Sequence, residues 1–259
     1  MLLTDGKDKL LFDAPFTRAT PLHWLNITRL QSDETVLKKV IQKHGLRDLQ
    51  GIFVSHHHVD HAVDVGALAN LTGAKAYGDE NLKRLLPHAQ ASYHPMAEDV
   101  PIIIGDFTIR PFRIDHEKIP FEFIFMGEVP LDFDFFLFDY KEGATWFYLI
   151  THGEKRILWN GSTGDALSRL KESGTEVKLD LYVLGLGTLS LKEQIQRMGE
   201  NHPFQRFIPV HFDNFFFPYD PDEFTLLPFS SLEDHIMELR KKFTKVEWIL
   251  PKLGQSYKI

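Results

Sequence analysis

The sequence predicts an α/β protein in which two sheets pack face to face and helices cover both outer faces. The main observation is the order of the predicted elements: a β-rich start passes into alternating helices and strands, and the chain then repeats that order. Neither an internal repeat nor a linker-like stretch divides the 259 residues. A chain of this length forms one large domain or two small ones, and we expect a single domain over residues 1–259.

Composition and charge narrow the class of protein. The chain is 43% hydrophobic and 25% charged, as is ordinary for a globular protein, and its formal net charge is −7. This acidic balance argues against nucleic acid as the main partner, and we expect a small-molecule substrate. The chain has no cysteine, so disulfides and thiolate metal ligands are excluded. Composition gives no oligomeric state.

The sequence shows no membrane span and no signal peptide. No apolar run approaches the roughly 20 residues that a membrane helix needs. The first residues have neither a basic start nor a long apolar centre. We therefore expect a cytoplasmic protein by default, with the earlier removal of an export signal left open.

The first hundred residues predict alternating strands and helices. Asp33 is the predicted N-cap of a helix, and Gly45 is its predicted stop. Residues 17–32 show no clear period and predict a loop over the mouth of a site. Strands are predicted at residues 1–4, 9–12, 51–54 and 75–77, and helices at 33–44, 62–71 and 79–86.

The remainder of the chain predicts a β-rich part followed by helices and strands. Ser190 with Glu193, and Ser230 with Glu233, predict capping boxes at the starts of two helices. Strands are predicted at residues 102–104, 107–114, 121–125, 131–140, 145–151, 156–159, 179–184, 207–210 and 246–250, and another helix at 166–171.

The most informative stretch is Ser-His-His-His-Val-Asp-His at residues 55–61, directly after a predicted buried strand. His56 and His58 are spaced so that their side chains point the same way in an extended segment. Asp60 and His61 open the next helix, where a carboxylate is electrostatically favoured. A solvated histidine run is the alternative interpretation, but such runs are uniform and terminal, and this one is neither.

The pattern His-x-His-x-Asp-His after a hydrophobic strand resembles the signature of the metallo-β-lactamase superfamily. The resemblance implies a four-layer αββα sandwich of the metallo-β-lactamase type. Leu10-Leu-Phe-Asp-Ala-Pro15 resembles the early strand of that family, which implies that Asp13 lies near the metals without binding them. Relatives normally have another strand before this point, so either the chain begins late or a leading segment is absent. His57 should point away from the metals.

Two more histidines follow predicted strands. His116 ends an alternating strand, and an exposed turn histidine is the alternative there; His211 follows Arg206-Phe-Ile-Pro-Val and closely resembles the late histidine of the family. The resemblance implies two groups of ligands. His56, His58 and His116 would bind one ion, and Asp60, His61 and His211 would bind the other.

One position departs from the family pattern. Asn-Gly-Ser-Thr-Gly-Asp at residues 160–165 resembles the segment in which relatives carry an aspartate that bridges the two metals. Ser162 stands at that place, and a hydroxyl is a poorer ligand for a divalent ion than a carboxylate. Asp165 could supply the bridge instead, or it could be the N-cap of the following helix.

These ligands imply metal-dependent hydrolysis. One or two zinc ions are the first expectation, and iron and manganese fit the ligands too. A metal-bound hydroxide would attack an ester, lactone or phosphodiester, with Asp60 as the catalytic residue that orients or deprotonates water. The Leu-Phe-Asp-Ala-Pro-Phe start and the Pro-Val-His-Phe ending resemble the branch with ascorbate-phosphate lactonase and lipid phosphodiesterases.

Three other functions remain open. An iron-dependent redox enzyme has the same fold. A metal-binding protein with weakened activity would follow from the serine at the bridging position. A nuclease of the ribonuclease Z kind is disfavoured, because the chain is acidic and has no stretch rich in Lys and Arg.

Phenylalanines follow the late histidine. Phe215, Phe216 and Phe217 lie in a predicted loop directly after a metal-ligand candidate. They would either pack under that loop or form the rim of the site, in which case the substrate carries an apolar portion. Four further phenylalanines are expected in the core: Phe133, Phe135, Phe136 and Phe138.

Overall fold

The computed structural model describes residues 1–86, 92–116, 122–175, 178–187, 189–199, 203–212, 232–252 and 255–259. The chain divides into two compact units. The first takes its described residues from 1–97 and 122–145, and the second from 98–116, 146–212 and 232–259. Each unit has its own sheet and its own hydrophobic core.

The sheet of the first unit has five strands in chain order. β1 pairs with β2 antiparallel, and the remaining neighbours are parallel. The carboxyl ends of β2, β3 and β4 therefore meet at one edge, which is where parallel sheets usually carry their functional groups. The strands are β1 Leu2–Thr4, β2 Lys9–Phe12, β3 Gly51–Phe53, β4 Lys75–Gly78 and β5 Tyr93–Pro95.

Six described helices accompany this sheet. The second of them begins and ends as the sequence predicts, because the Asp33 side chain accepts hydrogen bonds from the backbone of Thr35 and Val36. Gly45 ends it in the left-handed conformation, with φ of 61°. The helices are α1 Pro21–Trp24, α2 Glu34–His44, α3 Val59–Ala62, α4 Val65–Thr72, α5 Glu80–Leu85 and α6 Glu122–Phe125.

The sheet of the second unit has seven strands in the order β12-β11-β10-β9-β8-β7-β6. Strands β9 to β12 are parallel, whereas β6 to β9 alternate in direction. The carboxyl ends of β7, β9, β10 and β11 consequently lie at one edge. The strands are β6 Ile102–Ile104, β7 Phe107–Arg113, β8 Trp146–His152, β9 Lys155–Asn160, β10 Leu179–Gly185, β11 Phe204–Val210 and β12 Glu247–Trp248.

Three described helices accompany the second sheet: α7 Ala166–Glu172, α8 Leu191–Met198 and α9 Leu232–Lys242. Ser190 and Glu193 form the predicted capping box of α8. Ser230, half of the other predicted box, lies outside the described residues. No helix among the described residues is long and apolar enough to cross a membrane.

Two predicted strands are wrong. Residues 122–125 form α6, because Phe125 packs against Phe138 and leaves Phe123 exposed, instead of alternating between two buried faces. Residues 131–140 contain a 3₁₀ turn at Leu137–Asp139. Here the Asp139 carboxylate accepts from the backbone N–H of Phe136, a local bond that competes with strand pairing.

Smaller differences affect three other predictions, and one strand was missed. The predicted loop at 17–32 contains α1, which begins at a proline, a favoured first residue of a helix. The helix predicted at 62–71 is divided between α3 and α4, and the buried Asp64 at the break accepts from the backbone of Phe16 and Thr17. The last strand is shorter than predicted, and β5 was not predicted at all.

Of the four phenylalanines expected in the core, Phe133 is buried, and Phe135 and Phe138 pack partly buried against the core of the first unit. Phe136 instead lies under the guanidinium of Arg29, at 5.5 Å from its ring centroid.

Candidate metal centre

The histidine-rich loop leaves the carboxyl end of β3, where the sheet delivers its side chains to one edge. His56 and His58 are both buried, and Nε2 of His56 lies 3.0 Å from Nδ1 of His58. Two nitrogens bound at 2.0–2.1 Å to one tetrahedral zinc ion lie about 3.3 Å apart. The pair therefore fits a shared ion. In the absence of an ion, the same distance permits a hydrogen bond between the two rings.

Asp60 and His61 present a second pair of ligand atoms on α3. Nε2 of His61 lies 3.6 Å from Oδ2 of the partly exposed Asp60. The opposite ring nitrogen, Nδ1 of His61, lies 2.9 Å from Oδ2 of the buried Asp13. A carboxylate on one ring nitrogen fixes the tautomer and leaves the other nitrogen to bind a metal.

Asp13 lies at the end of β2 and connects both ligand pairs. Its Oδ1 accepts from the backbone N–H of Ser55 at 2.8 Å, and its Oδ2 accepts from the Ser55 hydroxyl at 2.9 Å. That hydroxyl oxygen lies 3.1 Å from Nδ1 of His56. With Nδ1 of His56 donating to Ser55, Nε2 of His56 is the nitrogen that can bind a metal. Asp13 has a φ of 54°, a strained conformation typical of functional sites.

His57 was not predicted to have a role, yet it fixes the loop from the opposite side. Its ring Nδ1 lies 3.1 Å from the carbonyl oxygen of Glu142, and its Nε2 lies 3.3 Å from Oδ1 of Asp79. The backbone N–H of His57 donates to the same Glu142 carbonyl. Burial lowers the pKa of His57, and the charge of Asp79 opposes this shift. The loop is thus held by the His61–Asp13 pair and by the two contacts of His57 with the Glu142 carbonyl.

Gly143 permits the close approach of the Glu142 segment. Its φ is 64°, and a Cβ atom there would lie 2.6 Å from Nδ1 of His57 and 3.2 Å from Oδ2 of Asp79. Any side chain at this position would push against the ring of His57, which helps to hold the histidine-rich loop. Lys141-Glu-Gly143 has the composition of a turn, but nothing in the sequence links that turn to residue 57.

In the second unit, His116 follows β7 and lies three residues beyond its end. The loop of residues 161–164 packs against the two residues that precede His116. A Cβ atom on Gly164 would lie 2.8 Å from the carbonyl oxygen of Asp115 and 2.6 Å from the side chain of Ile114. The carboxyl ends of β7 and β9 therefore bring His116 and the loop with Ser162 to the same edge of the sheet.

His211 follows β11 at that edge and has a φ of 58°, another left-handed residue that is not glycine. Its carbonyl oxygen accepts from the backbone N–H of Gly187 at 3.1 Å. A Cβ atom on Gly187 would lie 3.5 Å from Nδ1 of His211 and 3.0 Å from the methyl group of Thr163. Thr163, with a φ of 59°, shares the strained conformation. Left-handed residues other than glycine are typical of functional sites.

Ser162 is buried and bound to its neighbours. Its hydroxyl donates to Oδ1 of Asn160 at 3.2 Å, and Nδ2 of Asn160 donates to the carbonyl oxygen of Gly164 at 2.7 Å. Asp165 caps α7 by accepting from the backbone of Ser168, and it lies 3.3 Å from the guanidinium of Arg197. The carboxylate nearest to Ser162 in sequence therefore already has two partners.

The predicted site residues thus fall into two groups, one in each unit. His56, His58, Asp60, His61 and Asp13 come together in the first unit, and His116, Ser162 and His211 occupy one sheet edge in the second. Phe215, Phe216 and Phe217 lie outside the described residues. The joint binding of ions by both groups remains a prediction.

The chain matches a known family over most of its length. A profile described as "Beta-lactamase superfamily domain" matches residues 9–212. The protein therefore belongs to the beta-lactamase superfamily, most of whose members are metal-dependent hydrolases. No curated protein matches the chain significantly.

Solved structures with a metallo-β-lactamase or related fold resemble the chain. The metallo-β-lactamase fold protein YhfI from Bacillus subtilis is 17% identical, with 99% of this chain and 90% of that chain covered and a TM-score of 0.63. Zn(2+)-bound PqqB from Methylobacterium extorquens is 15% identical, with 100% and 86% covered and a TM-score of 0.57. Igni18, a metallo hydrolase from Ignicoccus hospitalis, is 14% identical, with 81% of both chains covered and a TM-score of 0.53.

Identities this low show the fold alone. They confirm the predicted class, a mixed α/β protein with two sheets and helices of the metallo-β-lactamase type. The imidazole and carboxylate groups at the ends of β2 and β3 are ligands that a divalent metal takes. Fold, family and ligand types together indicate a metal-dependent enzyme. The expectation of a single domain stays a prediction.

Proposed function

We propose that this protein is a metal-dependent hydrolase of a small-molecule ester, lactone or phosphodiester. The observation that carries the proposal is the carboxylate of Asp13, which is bonded to both halves of the histidine-rich loop. One carboxylate that orients His61 directly and His56 through Ser55 is the arrangement that a metal site needs around its ligands.

The proposed ligand sets take one histidine each from the second unit. His56, His58 and His116 would hold the first ion, and Asp60, His61 and His211 the second. Zinc is the metal we propose, since imidazole and carboxylate ligands suit it and the chain has no cysteine. The first ion would be held more tightly than the second, because Ser162 supplies no bridging carboxylate.

The residues of the first unit have defined parts in the reaction. A bound divalent ion lowers the pKa of a water ligand to about 7 and polarises the carbonyl or phosphoryl oxygen of a substrate. Asp60 is partly exposed, so its carboxylate can accept the proton of the attacking water and pass it to the leaving group. Asp13 keeps the proton of His61 on Nδ1, so that Nε2 stays directed towards Asp60.

The bond that is cleaved has support only from the superfamily as a whole. Hydrolysis of esters, lactones and phosphodiesters needs the same three elements: an activated water, a polarised oxygen and a proton acceptor. We propose in addition that the substrate carries an apolar portion. The phenylalanines at 215–217 remain the predicted rim, and their role is a proposal that the described residues do not address.

The test is elemental analysis of the purified protein, followed by a panel of p-nitrophenyl esters, lactones and bis-p-nitrophenyl phosphate. We expect bound zinc and turnover of at least one class, both lost in His58→Ala. The matched control is His44→Ala, which removes a partly exposed histidine at the end of α2. A folded protein without any metal contradicts the proposal, and so does bound iron with consumption of oxygen but no hydrolysis. Bound metal without turnover of any panel member would favour the metal-binding protein instead.

A further inference from the structure

The short helix α6 and the residue after it place exposed apolar side chains beside the histidine-rich loop. Phe123 is 76% exposed and Met126 is 50% exposed, whereas Phe125 between them is turned inward. The ring of Phe125 meets the ring of His58 edge-on, with centroids 5.9 Å apart. Scattered exposed apolar residues are ordinary on protein surfaces, but these two flank a residue that contacts a predicted metal ligand.

Backbone hydrogen bonds fix α6 in this place. The N–H of Glu142 donates to the carbonyl oxygen of Phe125 at 2.8 Å, and the N–H of Gly143 donates to the carbonyl oxygen of Gly127 at 2.9 Å. The ammonium group of Lys141 donates to the carbonyl oxygen of Ile124 at 2.5 Å. The segment 141–143 therefore binds α6 and the turn after it along their length.

The same segment, residues 141–143, also binds the histidine-rich loop. The carbonyl oxygen of Glu142 accepts from the backbone of His57 at 3.0 Å and lies 3.1 Å from its ring Nδ1. The chain beyond α6 is fixed as well, because the buried Val129 donates to Asn81 and accepts from Arg84. The backbone that carries Phe123 and Met126 is thus fixed by hydrogen bonds beside His58, as a preorganised binding surface requires.

We propose that Phe123 and Met126 form the surface that receives the hydrophobic portion of the substrate. The ligand is then an ester or phosphoester with an alkyl or acyl chain. Its polar head would lie at the histidine-rich loop and its chain along α6. Apolar side chains beside a few convergent polar groups are the usual composition of such sites. This inference rests on the proposed hydrolase function, which it deepens by naming the kind of substrate.

Binding of alkylphosphonates tests the inference without any turnover. The zinc-loaded full-length protein is titrated by calorimetry with methyl-, butyl-, hexyl- and octylphosphonate. Burial of each methylene contributes about 0.8 kcal/mol, which is about fourfold in affinity. We expect Kd to fall by up to about this factor per methylene, and the double variant Phe123→Ser/Met126→Ser to remove most of the dependence on length.

The matched control is Leu131→Ser, which removes an equally apolar side chain that is 88% exposed in the same part of the chain. It should leave the dependence on length unchanged. A Kd that does not vary with chain length overturns the inference, and so does equal loss in the double variant and the control. If light scattering shows that wild-type protein self-associates and the double variant does not, the surface is an interface between copies and the inference is also wrong.

The two proposals fail in different ways. Hydrolysis of short esters with length-independent phosphonate binding would leave the hydrolase function intact and remove the role of α6. Length-dependent binding without turnover of any panel member would contradict the hydrolase function, whereas the apolar surface would stand as a binding site.

Discussion

Two loops of this protein both follow a parallel strand and precede a helix, but they carry different side chains. Residues 54–58 connect β3 to α3 in the first unit, and residues 161–165 connect β9 to α7 in the second. Both leave the carboxyl end of a parallel strand, and both are buried in large part. The first loop is rich in imidazole groups, whereas the second offers two hydroxyl groups and the carboxylate of Asp165.

The difference lies in where the carboxylates are directed. In the first loop, Asp13 accepts from Ser55 and lies against His61, so its charge supports the ligands. In the second loop, the carboxylate of Asp165 caps α7 and pairs with Arg197. Ser162 donates to Asn160, which is neutral. The fold therefore sets the position of a loop, and the local side chains decide whether a cation is bound there tightly.

The largest effect is expected from His58→Ala. This change removes a proposed ligand, so metal affinity should fall by more than the 10–100-fold that the loss of a residue supporting a ligand causes. Isothermal titration of the metal-free protein with zinc measures it, with His44→Ala as the control. Zinc affinity equal to that of the control would remove His58 from the ligand set.

A smaller loss is expected from Asp13→Asn. An amide can replace one of the carboxylate's bonds but cannot orient His61 and Ser55 equally well, so zinc affinity should fall by about 10–100-fold. The control is Asp48→Asn, which removes an exposed carboxylate paired with Lys9 on the same unit. If zinc affinity falls by the same factor in both variants, the effect of Asp13→Asn comes only from the change in net charge.

Gly143→Ala should act through the side chain of His57. Both Gly143, with a φ of 64°, and Gly73, with a φ of 75°, have the left-handed conformation, but only Gly143 has His57 within 4 Å of its Cβ position. Gly73→Ala therefore measures the backbone strain alone. We expect Gly143→Ala to destabilise the fold by about 1–3 kcal/mol more than Gly73→Ala, the usual result of forcing an atom into a packed interior.

The visible spectrum of the cobalt-substituted protein distinguishes positioning from stability. Displacement of His57 should move the loop that carries His56 and His58, and so change the ligand-field bands of Gly143→Ala. Bands identical to those of wild type, at any loss of stability, would show that His57 does not position the ligands.

The smallest effect is expected from Ser162→Asp. A carboxylate at this position should strengthen binding of the second ion, but the site is buried, so the cost of desolvating the new charge offsets much of the gain. We expect about tenfold tighter binding of the second ion and a smaller gain for the first, because a bridging carboxylate contacts both. An unchanged second site would show that Ser162 is not at the bridging position.

The sequence predicted the parts of the fold that depend on local signals. The N-cap at Asp33 and the stop at Gly45 were correct because caps and left-handed glycines act within a few residues. Residues 122–125 and 131–140 were mispredicted because aromatic runs favour strands by propensity. Tertiary contacts of Phe125 and the hydrogen bonds of Asp139 determine their structure instead.

The candidate ligands could be predicted because most of them form a sequence motif. The residues that hold this motif in place could not. Residues 55–61 and Asp13 follow strands, and the parallel sheet brings them together. The pairing of His57 with Asp79 and with Glu142 joins residues far apart in the sequence. Neither contact has a signal in composition or spacing, so only the three-dimensional structure could reveal it.

The most direct test of the proposed two-ion site is chelator titration of the metal-loaded wild-type protein. Metal is removed by stepwise addition of a chelator, and the remaining zinc is measured by elemental analysis. We predict two classes of ion: the second ion leaves at low chelator concentration because no carboxylate bridges it to the first, and the first stays bound until much higher concentration. Two ions that leave together would contradict the role given to Ser162, and a protein that holds no zinc before any chelator is added would contradict the metal site itself.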